Sequence, residues 1–178
     1  IRSIAGDIVL DRSAFAPLDA DPGSFDGEPL RPYNASPDAL LLNFKSVVMT
    51  FVPDHTANLA RVQFEPPLAG VQLPTSVPLA NGKNGSTGDC GDYRAALKAD
   101  FSDATRIRFA GAYPAGCPEK VWPVAYVDPA SYSVRAVEGL WREMGGQLSG
   151  RVLDGRVPLR TPALLPAFEV ASPSLAEV

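Results

Sequence analysis

The sequence predicts a mixed fold, α+β or α/β, in which both ends of the chain build a small α/β domain and an all-β antiparallel domain is inserted into it. One observation is a repeated phrase, because IRSIAGDIVLD at the N-terminus returns as GGQLSGRVLDG near the other end. The other is the stretch between them, where short β-rich runs alternate with Pro and Gly. We therefore place the α/β domain at 1–39 and 128–160, the β-rich domain at 40–127 and a return segment at 161–178.

The second copy of the phrase follows a helix whose two ends are marked in the sequence. Asp128 at the N-cap and Pro129 at the first helical position mark its start. Gly145 and Gly146 mark its end, since glycine adopts the left-handed conformation of a C-cap. One apolar stripe recurs at helical spacing, formed by Val137, Leu140, Trp141 and Met144. The unit is therefore predicted to be a helix, a glycine turn and a strand.

The two copies align residue for residue, with Ile4 opposite Leu148 and Ile8 opposite Val152. Because strands joined by a crossover connection run parallel, we expect the two copies to lie parallel in one sheet. The first copy has no helix before it, and the C-terminal SPSLAEV begins a helix with capping-box spacing just before the chain stops. We expect on this basis that the chain is a piece of a larger protein.

The other segments are predicted from their local composition. Residues 16–39, rich in Pro, Asp and Gly, are expected to form an ordered loop. VQLPTSVPL is expected at a sheet edge, because Pro74 and Pro78 cannot donate ladder hydrogen bonds. The β-rich block is predicted to hold strands, in chain order, in LLLNFKSVVMTFVPD (one strand or a bent pair), ARVQFEPP, VQLPTSVPL, YRAALKADF, TRIRFAGAY and VWPVAYV.

Charge and hydropathy exclude two classes of partner. The formal net charge is −4 and no basic stripe is present, which argues against nucleic-acid binding. No apolar run approaches the ~18 residues of a transmembrane segment. No signal peptide is visible, and no oligomeric state is predicted.

Two cysteines, Cys90 and Cys117, lie in Gly- and Pro-rich turns on either side of the predicted hairpin YRAALKADF–TRIRFAGAY. The open end of a hairpin would bring them together, so we expect a structural disulfide. It would contribute roughly 3 kcal/mol by closing the intervening loop. A disulfide favours an oxidising compartment, whereas two unpaired cysteines in a cytosolic protein are the alternative.

The residue types that usually carry chemistry are interpreted here as structural, and no cofactor or metal site is predicted. His55 is the one histidine and is expected in an exposed turn. The acidic pairs Asp89/Asp92 and Asp100/Asp103 are interpreted as turn residues rather than calcium ligands. Five aromatic residues are expected to pack in the core or between domains rather than to form a sugar-binding platform, namely Tyr33, Phe44, Phe51, Phe64 and Trp122.

The ordered set GDIVLDRSAF, ALLLNFKSVVMTF, CGDYRAAL, GCP, GGQLSGRVLDG and SPSLAEV resembles the non-catalytic insert of the class C penicillin-binding proteins. These are serine D-alanyl-D-alanine carboxypeptidases that also act as endopeptidases on peptidoglycan. The resemblance covers essentially the whole chain. It implies a bacterial, periplasmic or envelope protein, whose inserted domains are a Rossmann-like α/β domain and a nested β-rich domain. The implied partners are peptidoglycan peptides and the parent's own catalytic domain.

The motifs of that family's reaction are missing from this sequence. Its serine nucleophile needs a lysine one helical turn later, in an S-x-x-K motif. No Lys has Ser three positions before it, and no Asn has Ser two positions before it. Lys83-Asn84-Gly85 is similar to K-T-G but has Asn in the middle. The resemblance therefore implies no catalytic residue in this chain.

Two functional hypotheses follow. In the first, the chain is the accessory region of a serine D-Ala-D-Ala carboxypeptidase and is itself catalytically silent. In the second, it is a stand-alone extracytoplasmic module that binds a peptide or glycan. Acylation by labelled penicillin and titration with muropeptides separate these hypotheses from each other and from an independent enzyme.

Overall fold

The structure, a computed structural model, describes residues 1–16, 21–80, 89–157 and 169–171. It contains two helices, α1 (Tyr93–Leu97) and α2 (Pro129–Glu143), and two short 3-10 turns, Pro32–Asn34 and Asn43–Lys45. Its strands are β1 (Ser3–Ile4), β2 (Ile8–Asp11), β3 (Ser46–Asp54), β4 (Leu59–Glu65), β5 (Ser76–Ala80), β6 (Ala99–Asp103), β7 (Arg106–Phe109), β8 (Tyr113–Pro114), β9 (Lys120–Ala125), β10 (Gln147–Leu148) and β11 (Val152–Gly155). The mixed α and β content agrees with the predicted class. A Rossmann-like arrangement stays a prediction.

Five strands form a central sheet in the order β8-β5-β4-β3-β9. Neighbouring strands are antiparallel except β5 and β8, which are parallel. Alternate residues of β3 and β4 point to the same face, and on that face Val47, Met49, Phe51 and Val62 are buried. The central sheet is therefore covered on this face, where the main hydrophobic core lies. The prediction that VQLPTSVPL lies at an edge is only approximate, since the two-residue strand β8 covers part of β5.

The outer edge of β9 is closed to further strand pairing by three local features. The Ala125 N–H donates to the Leu30 carbonyl at 2.9 Å. The Tyr93 hydroxyl donates to the Val121 carbonyl at 3.3 Å. Between them, Pro123 has no N–H to offer. An unprotected edge strand invites aggregation, and these features block it.

The segment between the cysteines contains the predicted hairpin, but its first half is helical. β6 and β7 pair antiparallel, as predicted. YRAALKADF is not one strand, because residues 93–97 form α1 before β6 begins. The Asp92 carboxylate accepts hydrogen bonds from the N–H groups of Arg94 and Ala95, which caps this helix. Gly111 lies against it so closely that a Cβ there would be 1.9 Å from the Ala96 carbonyl oxygen.

Helix α2 begins and ends where the sequence predicts. The Asp128 carboxylate accepts from the Ser131 N–H, Pro129 occupies the first turn, and Gly145 after the helix has a φ of +79°. Its most buried face, however, is Tyr132, Ser133, Ala136 and Gly139 rather than the predicted apolar stripe. Met144, the last residue of that stripe, is 74% exposed. The face of α2 that packs into the main core is built from small and aromatic residues, including Tyr132 and Ala136.

The two copies of the repeated phrase pair with each other. β1 pairs parallel with β10, and β2 pairs parallel with β11. The register places Ile4 opposite Leu148 and Ile8 opposite Val152. This confirms the predicted parallel direction, but the copies form two separate two-stranded sheets rather than the single sheet that was expected. We call these four short strands the parallel pairs.

The predicted strand at 40–54 forms only in its second half. Asn43, Phe44 and Lys45 have φ angles of 43°, 51° and 50°, so the chain makes a left-handed turn before β3 begins. The predicted loop at 16–39 contains only a 3-10 turn among its described residues. The C-terminal helix start at Ser172 and Pro173 lies outside the described residues. No helix in the described region of the chain combines the length and apolar character needed to cross a membrane.

Candidate functional site

The cysteine prediction is confirmed, since Cys90 and Cys117 form a disulfide with their Cα atoms 4.4 Å apart. The acidic pairs act within turns and caps. Asp92 caps α1, and the Asp100 and Asp103 carboxylates accept hydrogen bonds from Ser102 and Thr105. Across residues 1–16, 21–80, 89–157 and 169–171, no cluster of His, Cys, Asp and Glu side chains is arranged to hold a metal. Lys83-Asn84-Gly85 lies outside the described residues.

The five aromatic residues divide into two groups. Phe51 is fully buried, while Phe64 and Trp122 pack against the main core, as predicted. Tyr33 and Phe44 are 64% and 61% exposed, so the expectation of core packing is wrong for these two. Both lie in 3-10 turns, where they do not belong to a buried strand face. His55 is exposed in the turn between β3 and β4, as predicted.

A cleft of about 930 Å³ lies where the end of β2, the loop at 36–39, the start of α2 and the end of β11 meet. We call it the charged cleft, because six charged residues line it, namely Arg12, Asp21, Asp38, Lys45, Asp154 and Arg156. Arg12 is their centre. Its guanidinium donates to both carboxylate oxygens of Asp154, at 2.9 and 2.7 Å, and to Asp38 Oδ2 at 2.6 Å. A fork of this kind holds two carboxylates in defined positions.

The left-handed turn at residues 43–45 places Lys45 in the cleft. The Nζ atom of Lys45 lies 3.0 Å from Asp38 Oδ2. The side chains of Lys45 and Asp38 are only 9% and 8% exposed. Two hydrogen bonds hold the turn, from Asn43 Nδ2 to the Ser46 carbonyl at 3.0 Å and from Ser46 Oγ to the Phe44 carbonyl at 2.9 Å. The buried Lys45 is therefore positioned by a hydrogen-bonded turn.

The charges stabilise one another's ionised forms. Burial by itself would raise the pKa of Asp38, but the Leu40 N–H, the Lys45 ammonium and Arg12 together hold that pKa below its ordinary value. Burial would likewise lower the pKa of Arg12, and the Asp154 and Asp38 carboxylates raise it above its usual value instead. The shifted pKa values of Asp38 and Arg12 thus favour the ionised form of each group.

The carboxylate of Asp11, the last residue of β2, forms a hydrogen bond with the segment that follows β11. Asp11 Oδ2 accepts from the Val157 N–H at 2.8 Å, and Asp11 Oδ1 accepts from the Ser13 N–H at 3.0 Å. The Ser13 side chain and these two N–H groups lower the pKa of Asp11 to about 2. Asp7, just before β2, has a similar role, since its carboxylate accepts from the Arg151 N–H at 2.8 Å.

Sequence reasoning did not find the charged cleft. Arg12, Asp38, Lys45 and Asp154 come from four separate segments, and no local motif joins them. The sequence signal is limited to the position of Arg12 just after the first repeated phrase and of Asp154 near the end of the second. Chemically, the cleft offers paired cations and anions.

Comparison with known proteins identifies the family. The model of the D-Ala-D-Ala carboxypeptidase 3 (S13) family matches residues 1–177. The chain belongs to this family. Its members are serine D-Ala-D-Ala carboxypeptidases, hydrolases of the bacterial cell wall that include penicillin-binding proteins. The resemblance noted from the sequence is therefore confirmed. Among curated proteins, none matches the chain.

Solved structures show a related fold. Penicillin binding protein 4 (dacB) from Haemophilus influenzae is similar to this chain with a TM-score of 0.54 and 18% identity, over 90% of this chain and 34% of that one. A second structure of that protein, in complex with a β-lactam, gives a TM-score of 0.38 and 15% identity over 66% of this chain and 25% of that one. The chain thus spans about a third of the length of the first of these structures.

Proposed function

We propose that this chain is the accessory, non-catalytic region of a serine D-Ala-D-Ala carboxypeptidase and endopeptidase that remodels peptidoglycan. One observation carries the proposal: the family model matches residues 1–177, yet this stretch contains neither S-x-x-K nor S-x-N. Acyl-serine chemistry needs a serine whose proton a neighbouring lysine accepts. The reactive groups of the parent enzyme would then lie on other segments of its chain.

The proposed organisation is an α/β domain at 1–39 and 128–160, a β-rich domain at 40–127 and a return segment at 161–178. The pairing of β2 with β11 supports it, because two strands far apart in sequence lie side by side with the central sheet between them in the chain. The proposed partners are peptidoglycan peptides and the catalytic domain of the same parent. The disulfide supports a periplasmic or envelope location, since such bonds persist in oxidising compartments.

Labelling with a fluorescent penicillin tests the proposal directly. The purified chain is incubated with the label under conditions that acylate penicillin binding protein 4 from Haemophilus influenzae, which serves as the positive control. We expect no covalent label on the chain after denaturing electrophoresis. A labelled band that survives denaturation would show that the chain carries its own nucleophile and would overturn the proposal.

A stand-alone binding module is the second candidate, and the charged cleft is the observation that favours it. A module that works alone is expected to bind its ligand tightly and saturably, and we take a dissociation constant of about 1 μM, or about −8 kcal/mol, as the mark of tight binding. Calorimetric titration with purified muropeptides measures that constant. Binding at this strength supports the module, whereas weak or undetectable binding supports an accessory region that acts beside a catalytic domain.

A further inference from the structure

The charged cleft has the size and lining of a ligand site. Its volume of about 930 Å³ lies within the ~300–1,000 Å³ typical of sites for small molecules and short peptides. Leu10, Phe15, Pro37 and Pro129 contribute apolar walls. Phe15 is 55% exposed, which leaves apolar surface that a ligand could bury.

The charges in the cleft are balanced and of both signs. Three basic and three acidic residues line it, namely Arg12, Lys45, Arg156, Asp21, Asp38 and Asp154. Lys45 carries three N–H donors and directs one towards Asp38, which leaves donors for a ligand. Asp154 is 44% exposed, so some of its carboxylate surface faces the open cleft. A ligand with a single net charge would meet repulsion from half of this lining, whereas a dipolar ligand meets an opposite charge at each end.

The backbone at Lys45 is a second, independent observation. Three successive residues other than glycine adopt left-handed φ angles at 43–45. Side chains with a Cβ rarely take this conformation, and it persists where the surrounding structure enforces it, often at functional sites. Here it turns Lys45 inward, to a side-chain exposure of 9%. A lysine on a regular β3 extension would have been free to point into solvent.

We propose that the charged cleft binds a short dipolar peptide, with its free carboxylate at Lys45 and Arg12 and a free ammonium at Asp154. This deepens the proposed function and rests on it for the choice of peptide, since a family that cleaves D-Ala-D-Ala handles peptides ending in that carboxylate. The accessory region then holds a wall peptide by its charged ends.

Nuclear magnetic resonance titration of the 15N-labelled chain tests the proposal. The probe is the tetrapeptide γ-D-Glu-L-Lys-D-Ala-D-Ala, which carries two ammonium and two carboxylate groups. Its comparison forms are the C-terminal amide and the peptide acetylated at both amines. We expect saturable shifts at residues 10–13, 36–39 and 154–156, with a dissociation constant near or below ~1 mM, and binding about tenfold weaker for each blocked form. Equal binding of free and blocked peptides, or no saturation, would overturn the proposal.

Variants locate the binding. Lys45→Met removes the ammonium and keeps the side-chain stem, and we expect at least a tenfold loss of affinity for the free peptide. Arg61→Gln is the matched control, because Arg61 forms its ion pair with Asp54 outside the cleft, and its affinity should equal that of the wild type. If Lys45→Met does not fold, Asp154→Asn and Phe15→Ala replace it, since both side chains are partly exposed. Unchanged affinity in the folded cleft variants contradicts the proposal.

The two proposals fail in different experiments. Covalent labelling by penicillin would overturn the accessory role. The titration would still show whether the cleft binds the peptide. Absence of peptide shifts would overturn the cleft assignment and leave the acylation result standing. Binding confined to the cleft but tighter than about 1 μM would support the ligand class and favour the stand-alone module.

Discussion

The central sheet and the parallel pairs are stabilised by different means. Fifteen of the eighteen buried hydrophobic residues of the described chain lie between residues 47 and 126, and α2 adds Tyr132 and Ala136. The parallel pairs contribute Val152 alone. They are joined instead by backbone ladders and by the carboxylates of Asp7 and Asp11, which accept from the N–H groups of Arg151 and Val157 on either side of β11. One region is held by apolar packing and the other by hydrogen bonds and charge.

The difference has a physical consequence for stability. Apolar packing in a closed core resists local opening, because many contacts must break together. Strands of two to four residues with exposed hydrogen bonds open at lower cost. We expect the parallel pairs to exchange amide hydrogens before the central sheet does. The charged cleft lies at the junction between these two regions, where Arg12 follows β2 and Lys45 precedes β3.

The largest expected effect comes from the aromatic centre of the sheet core. Phe51 is fully buried, and its ring stacks on Tyr113 with a centroid distance of 5.5 Å and meets Phe109 edge-on at 5.5 Å. Phe51→Ala should lower the free energy of unfolding by about 3–5 kcal/mol. Phe25→Ala is the matched control, because Phe25 is 84% exposed, and it should stay within about 0.5 kcal/mol of the wild type. Urea denaturation measures both, and equal losses would contradict a core centred on Phe51.

The disulfide is expected to contribute the next largest effect. It closes a loop with a sequence separation of 27 residues that includes α1 and the β6–β7 hairpin. Replacing both cysteines by serine should cost roughly 3 kcal/mol, because the unfolded chain regains the freedom that the loop closure removed. Urea denaturation gives the free energy of unfolding of the double variant and of the wild type whose disulfide has been reduced. These two values should coincide, because both proteins lack the disulfide. A lower value for the double variant would indicate damage to packing around Cys117.

Local signals in the sequence predicted the elements whose ends are chemically marked. Asp128, Pro129 and Gly145 delimit α2 because each satisfies a specific need of a helix end. The repeated phrase also gave the register of the parallel pairs, since Ile4 lies opposite Leu148. α1 was missed because its five residues are too few for a helical period to be seen among strand-like neighbours.

The charged cleft could not be predicted because its charges meet only in the folded chain. Arg12 and Asp154 are 142 residues apart, and Arg12 and Asp38 are 26 apart. The left-handed turn at Lys45 was also hidden, since none of its three residues is glycine and its strain depends on tertiary contacts. The buried face of α2 is likewise hard to see in the sequence, because the small residues Ala136 and Gly139 carry a weak hydrophobic signal.

The contact between α2 and the loop that follows β4 should show an intermediate effect. A Cβ at Gly139 would lie 2.1 Å from the Pro67 carbonyl oxygen, which belongs to backbone that cannot move freely. Gly139→Ala should therefore cost about 1–3 kcal/mol by overpacking. Gly6→Ala is the matched control in the parallel pairs, because nothing lies within 4 Å of its Cβ position. Thermal unfolding measures the Tm of both variants. An unchanged Tm for Gly139→Ala would contradict the close contact between Gly139 and the Pro67 carbonyl oxygen.

The smallest expected effect concerns acid and is confined to the parallel pairs. The pKa of Asp11 is about 2 in the folded chain and 3.8 ordinarily. Because the folded pKa is the lower one, ionised Asp11 stabilises the fold above pH 3.8, and this contribution is lost as the pH falls through about 2. Amide exchange at β11 should accordingly quicken below pH 4 more than exchange at β3, after correction for intrinsic rates. Asp11→Asn should remove that difference, since it cannot titrate. A carbon-13 titration that places the Asp11 carboxyl near 3.8 would mean that the Val157 N–H does not hold it, and charge would then not distinguish the parallel pairs from the sheet.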